Sequence, residues 1–201
     1  MLVKEAYALK EKLRELTRDM WNLPNILTIV RLLLVPVFAI LYMNGYSMPA
    51  LAVFIVAAVT DFADGRIARA TNQITSFGKL MDPLADKLMV LTTLLCHCLK
   101  GVFPWAALCI IAVKEALMIL GGIFMLRHGV VVYSIFIGKA ATVVFFAALI
   151  AAFFHPQLVS LGFPADIWLL WAAVILNLCA LVAYAMSALK QLRTMYPRSR
   201  H

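Results

Sequence analysis

Charge is scarce in this 201-residue chain: only 14% of its residues are Asp, Glu, Lys or Arg. A soluble domain of this size carries about a quarter. There is no internal repeat, no low-complexity tract and no stretch with the composition of a soluble domain. The first 20 residues mix acids with bases and hold no apolar core run, so no cleavable signal peptide is expected. Cysteine is sparse as well. Cys96, Cys98, Cys109 and Cys179 all fall in apolar runs, which predicts buried thiols that pack as small hydrophobes. Cys96-His97-Cys98 lacks a second ligand pair at zinc spacing, and a helix points Cys98 away from Cys96, which argues against a zinc site.

What the chain has in excess is apolar. It is 64% hydrophobic with a mean hydropathy of +0.93. One soluble core cannot hide that much, which excludes a water-soluble globular domain. A membrane-spanning helix needs roughly 20 apolar residues, so six would use about 120. The apolar runs fit that number, at roughly 24–43, 48–70, 79–99, 103–126, 132–154 and 165–188. Breaks are expected at Asn44-Gly45, Asn72-Gln73, Lys100-Gly101, Arg127-His128-Gly129 and His155-Pro156, all turn chemistry or charge. The net charge is +8. Its cations cluster at the ends of apolar runs, so a membrane surface explains them better than nucleic acid.

The fold expected is therefore all-α: a polytopic membrane protein of six transmembrane helices, preceded by an interfacial amphipathic helix. That leading segment, 1–22, places Leu9, Leu13, Leu16 and Met20 on one helical face, with Trp21 as an interfacial anchor. Residues 23–190 form the membrane domain and 191–201 a basic tail. Lys4, Lys10, Lys12, Arg14 and Arg18 precede the first span, and Lys190, Arg193, Arg198 and Arg200 follow the last. Arg66, Arg69 and Lys79 flank the second connection, and Arg127 and Lys139 the fourth, whereas Lys100 stands alone on the other side. The excess of cations predicts both termini, and those two connections, in the cytoplasm.

The informative residues break the apolar pattern. Asp61 and Asp64 end the second span, and Asp82 and Asp86 begin the third. Charge inside a bilayer is costly, faces a bundle interior or a watery cavity, and marks function. Each pair is spaced to share a helix face, and the two helices join on the cytoplasmic side, so both pairs can meet at one depth. Four crowded carboxylates repel and need cations. Oxygen-only donors suit hard ions such as Mg²⁺ or Mn²⁺, and four aspartates can hold two of them. Two-metal sites serve phosphoryl chemistry. Gly65 and Gly78 leave room for a ligand close to the backbone, Ala68 is small on the aspartate face, and Arg69 can bridge phosphate oxygens.

Written out, Asp61-x2-Asp64-Gly65-x2-Ala68-Arg69-x8-Gly78-x3-Asp82-x3-Asp86 resembles the signature of the CDP-alcohol phosphotransferase family at all eight positions. The resemblance extends over the whole chain, because members of that family have six spans with the signature on the second and third. It implies an enzyme that displaces CMP from a CDP-linked donor with an alcohol. It implies two divalent ions on Asp61, Asp64, Asp82 and Asp86, with Asp86 as general base. Asp61, Asp64, Gly65, Ala68, Arg69 and Gly78 would then bind the CDP moiety. A bacterial inner-membrane enzyme is implied, with its active site on the cytoplasmic side and often a homodimer.

The opening of the first span, Asn22-Leu23-Pro24-Asn25-Ile26-Leu27-Thr28-Ile29-Val30-Arg31, narrows the resemblance, with Asn25 and Thr28 among its motif positions. It is similar to the branch that joins CDP-diacylglycerol to glycerol 3-phosphate, as is the run from Gly78 to Lys87. An acceptor with its own phosphate needs further cations, and Arg31, Lys114, Arg127 and Lys139 are the candidates. Lys114 stands where that branch usually has arginine, and a lysine cannot clamp a phosphate with two parallel hydrogen bonds. A branch using phosphatidylglycerol as acceptor is the alternative within the family. Outside it, a small cation transporter could use the same aspartates.

Overall fold

The computed structural model describes residues 23–70, 76–127 and 136–195; within these, the side chains of 23–25, 62–70, 76–83, 126–127 and 192–195 fall outside the described set. The leading helix expected over 1–22, the breaks at Asn72-Gln73 and His128-Gly129, and the end of the basic tail lie outside the described residues.

Every described element is helical. They are α1 (Leu23–Met43), α2 (Ser47–Ala70), α3 (Ser76–Leu99), α4 (Trp105–Arg127), α5 (Phe136–Ala152), α6 (His155–Ser160) and α7 (Ala165–Met195). Among the described residues, three stretches are long and apolar enough to cross a bilayer: Ile26–Met43, Trp105–Met125 and Ala165–Gln191. Ser47–Asp61 and Phe136–Ala152 are shorter apolar helices. Six spans are thus more than length and composition alone bear out. Large side chains such as Leu33, Ile40, Leu120, Val143 and Trp168 are exposed along the helices, the surface of a membrane protein.

The described residues fall into two compact units, divided between Cys96 and His97. In the first, α1 packs against α2. Phe38 lies 5.9 Å from Tyr42, stacked, and 6.2 Å from Phe54, tilted. Pro36 sits inside α1 and exposed. Its ring forfeits one helical hydrogen bond, which a membrane helix tolerates.

In the second unit, α7 is the central element, with α5, α4 and α6 against it. Small residues let these helices approach. Ala141, Ala148 and Ala152 of α5 are buried, as are Ala173 and Ala188 of α7. His97 is fully buried beside Phe103 and edge-on to Phe153, with a hydrogen bond to the backbone of Leu149.

Three of the helices end the same way. At the end of α1 the Tyr46 amide donates to the Leu41 carbonyl and the Gly45 amide to Tyr42. At the end of α3, Val102 donates to His97 and Gly101 to Cys98. These are the paired bonds of a Schellman closure, which puts one residue in the left-handed region; Gly45 has φ +88° and Gly101 φ +73°. The same pair closes α6 around Gly162.

Two expectations need correction. His155-Pro156 is not a loop: the chain turns at 153–154, and His155 opens α6 with Pro156 in its first turn, where a missing amide costs little. Nor are all four cysteines buried. Cys96 and Cys98 are, but Cys109 and Cys179 are exposed on α4 and α7. An apolar run in a membrane protein does not separate lipid-facing positions from packed ones. The last helix also runs to Met195, past the expected end near 188. Ala188 to Met195 contain no glycine or proline, and Pro197 is the first breaker.

Candidate active site

The site grows from the hairpin of α1 and α2. Arg31 lies on the inner face of α1, one turn beyond Thr28; both are buried, with exposures of 1% and 0%. An arginine cannot shed its charge, so burial demands an anion. The anion is Asp61 on α2: its Oδ1 lies 2.5 Å from an Arg31 guanidinium nitrogen, while the Asp61 side chain stays 42% exposed. A buried cation thus holds a carboxylate at the rim. The signal was present in the sequence, because Arg31 and Asp61 lie at similar distances on either side of Asn44-Gly45.

The other signature residues are placed by the backbone. α2 continues unbroken through Asp64, Gly65, Ala68 and Arg69, and α3 carries Gly78, Asp82 and Asp86. The helical spacings of both aspartate pairs are therefore real. Asp86 is half-buried. The side chains of Asp64, Arg69 and Asp82 lie outside the described set, as do those of Asn25 and Arg127. Among the described residues no three His, Cys, Asp or Glu side chains gather as a metal site, since half of the four-aspartate set is not among them. The donors that are described fit a hard divalent ion: a carboxylate on each of two helices, neither of them buried beyond reach of a hydrated cation.

The remaining acceptor candidates belong to the second unit. Lys114 is partly buried midway along α4, and its Nζ lies 2.6 Å from Glu115 Oε1. Pairing of this kind makes a charge tolerable within a membrane span. Lys139 stands in the first turn of α5 and is exposed. Sequence reasoning passed over a third ion pair. His155 Nδ1 at the start of α6 lies 2.6 Å from Oδ2 of Asp166, which is fully buried in the first turn of α7. The helix dipole also favours an anion there. An acid two residues after Pro164, beside a histidine eleven positions away, was the available signal.

Comparison with known proteins shows which family these helices belong to. The family described as CDP-alcohol phosphatidyltransferase matches residues 21–179, most of the chain and all of the signature. The chain belongs to this family. It is 37% identical over 140 residues to a cardiolipin synthase (CMP-forming) of Streptomyces coelicolor, covering 66% of this chain and 65% of that one. It is 49% identical over 74 residues to a CDP-diacylglycerol–glycerol-3-phosphate 3-phosphatidyltransferase of Rickettsia typhi, covering 35% and 42%. A Bacillus subtilis protein of the same name is 35% identical over 178 residues, covering 77% and 89%. Against the first two, then, the match spans less than two thirds of the relative's own length. The resemblance to this family is borne out, and Arg31 of the preceding helix pairs with Asp61, the first residue of the signature.

Proposed function

We propose that the protein transfers the phosphatidyl group of CDP-diacylglycerol to the hydroxyl of glycerol 3-phosphate, releasing CMP and forming phosphatidylglycerol phosphate. The observation that carries this reading is the complete family signature on α2 and α3, preceded by a first-span opening of the glycerol 3-phosphate branch. The Bacillus subtilis relative, named for that reaction and covered over 89% of its length, supports the same acceptor.

Asp61, Asp64, Asp82 and Asp86 hold two divalent ions, Mg²⁺ or Mn²⁺. Bound there, such ions would supply charge neutralisation of the pyrophosphate and so favour departure of CMP. Gly65, Ala68, Arg69 and Gly78 form the bed of the CDP moiety. Asp86 takes the proton of the acceptor hydroxyl as its oxygen attacks the phosphorus bonded to diacylglycerol. A new phosphorus–oxygen bond forms, the one to CMP breaks, and CMP carries off that electron pair. Lys139, exposed in the first turn of α5, binds the acceptor phosphate, with Arg127 and Lys114 as further candidates. All six long helices cross the bacterial inner membrane, both termini and the site face the cytoplasm, and the protein works as a homodimer.

The test is CMP release by the purified protein in detergent with CDP-diacylglycerol and Mg²⁺. Release with glycerol 3-phosphate alone is the expected result. A second reading, a cardiolipin synthase, is favoured by the Streptomyces relative; release with phosphatidylglycerol instead would establish it. No release with any acceptor, with metal-dependent CDP-diacylglycerol binding retained, would keep the family and leave the alcohol open.

A further inference from the structure

We propose that Arg31 is the positioning residue for Asp61 and sets how tightly the aspartate cluster holds a divalent cation. This rests on the metal-dependent reading above, and it gives Arg31 a different task from gripping an acceptor phosphate.

The asymmetry of the pair is the first ground. Arg31 is 1% exposed and Asp61 is 42% exposed. A solvated surface bridge would expose both partners. Here the cation is sunk between α1 and α2, and only the carboxylate reaches the rim. A guanidinium buried to that depth does not meet a soluble substrate, but it reaches the Asp61 carboxylate.

The second ground is the pattern along α1. Its inner face is polar at Thr28 and Arg31 and apolar at Phe38 and Tyr42, all four buried. Polarity is confined to the level of Asp61. Packing alone does not call for it, because a well-packed apolar residue generally serves stability as well as a buried ion pair does.

The third ground is chemical. The Arg31 guanidinium sits on Oδ1 of Asp61, and a fixed cation there holds the carboxylate in one orientation before any metal arrives. Partners that orient a metal ligand in this way typically change metal affinity by 10–100-fold when removed.

The experiment titrates the purified full chain in detergent with Mn²⁺ alone and follows free Mn²⁺ by its electron paramagnetic resonance signal. Arg31→Gln should bind Mn²⁺ about tenfold more weakly than wild type. Arg31→Lys, which keeps the charge and loses the planar fork, should fall between the two, and it decides the matter if Arg31→Gln does not fold. In an Asp61→Asn background, Arg31→Gln should add no further loss. In turnover assays the Mn²⁺ requirement should rise while the KM for glycerol 3-phosphate stays put. Unchanged Mn²⁺ affinity overturns the proposal, and a raised acceptor KM alongside it would make Arg31 a phosphate contact. An equal loss of Mn²⁺ in Phe38→Leu, a core change that touches no carboxylate, would reduce Arg31 to packing and also overturn it. Arg31-dependent Mn²⁺ binding in a chain that releases no CMP would sink the proposed reaction and leave this inference standing.

Discussion

Asp86 and Lys139 carry different parts of the proposed reaction, and single substitutions separate them. Asp86→Asn keeps an oxygen ligand and removes the base. Turnover should fall below about a hundredth of wild type, in line with the usual worth of a general base. CDP-diacylglycerol binding should largely survive, and equilibrium binding beside CMP release checks both. Lys139→Ala should raise the KM for glycerol 3-phosphate about tenfold and leave that of the donor near wild type, as expected for loss of one charge-assisted contact. Equal effects on both substrates in steady-state kinetics would take Lys139 out of the acceptor pocket. The signature aspartates were legible from spacing because the periodicity of a helix turns i, i+3 and i, i+4 into one face. Arg31 was legible as a candidate cation for an acceptor phosphate; its pairing with Asp61, 30 positions on, shows in the sequence only through their similar distances from Asn44-Gly45, because it depends on how two helices pack.

At the scale of the helix, termination was the most readable feature. Asn44-Gly45 and Lys100-Gly101 are turn signals because glycine alone enters the left-handed region without strain. Both stand where α1 and α3 close. A Cβ at Gly101 meets nothing within 4 Å, so its substitution tests the backbone alone. Gly101→Ala should cost about 1 kcal/mol, read as a lowered midpoint of thermal unfolding in detergent. The short helix α6 was not legible, because six residues are too few to show a period and Pro156 reads as a breaker from sequence. Its tie to α7 is the His155–Asp166 pair. His155→Ala strands a buried carboxylate and should cost about 2–3 kcal/mol. His155→Gln, which retains a donor, should cost less in the same unfolding measurement.

For the molecule as a whole, composition announced a membrane protein, and cation placement predicts an orientation that remains to be measured. The count of spans was harder to read. α2 and α3 carry the signature aspartates, and charge on a helix lowers the hydropathy by which a span is recognised. Orientation is checked with a membrane-impermeant maleimide on intact cells carrying a cysteine-free variant with one cysteine restored. Lys100→Cys should label without lysis, whereas Arg193→Cys should label only after it. The reverse pattern would place both termini outside and remove the signature from the side where CDP-linked lipids are expected.

The three glycine closures have an evolutionary consequence. Gly45, Gly101 and Gly162 sit in the connections that follow α1, α3 and α6. Each closure counts residues: the amide two places beyond the helix cap must meet a carbonyl five back, so one insertion breaks both bonds. In related sequences, length differences should therefore be rare at these three junctions and collect elsewhere. A reporter spliced into the 44–46 turn should disturb folding more than one fused after residue 195.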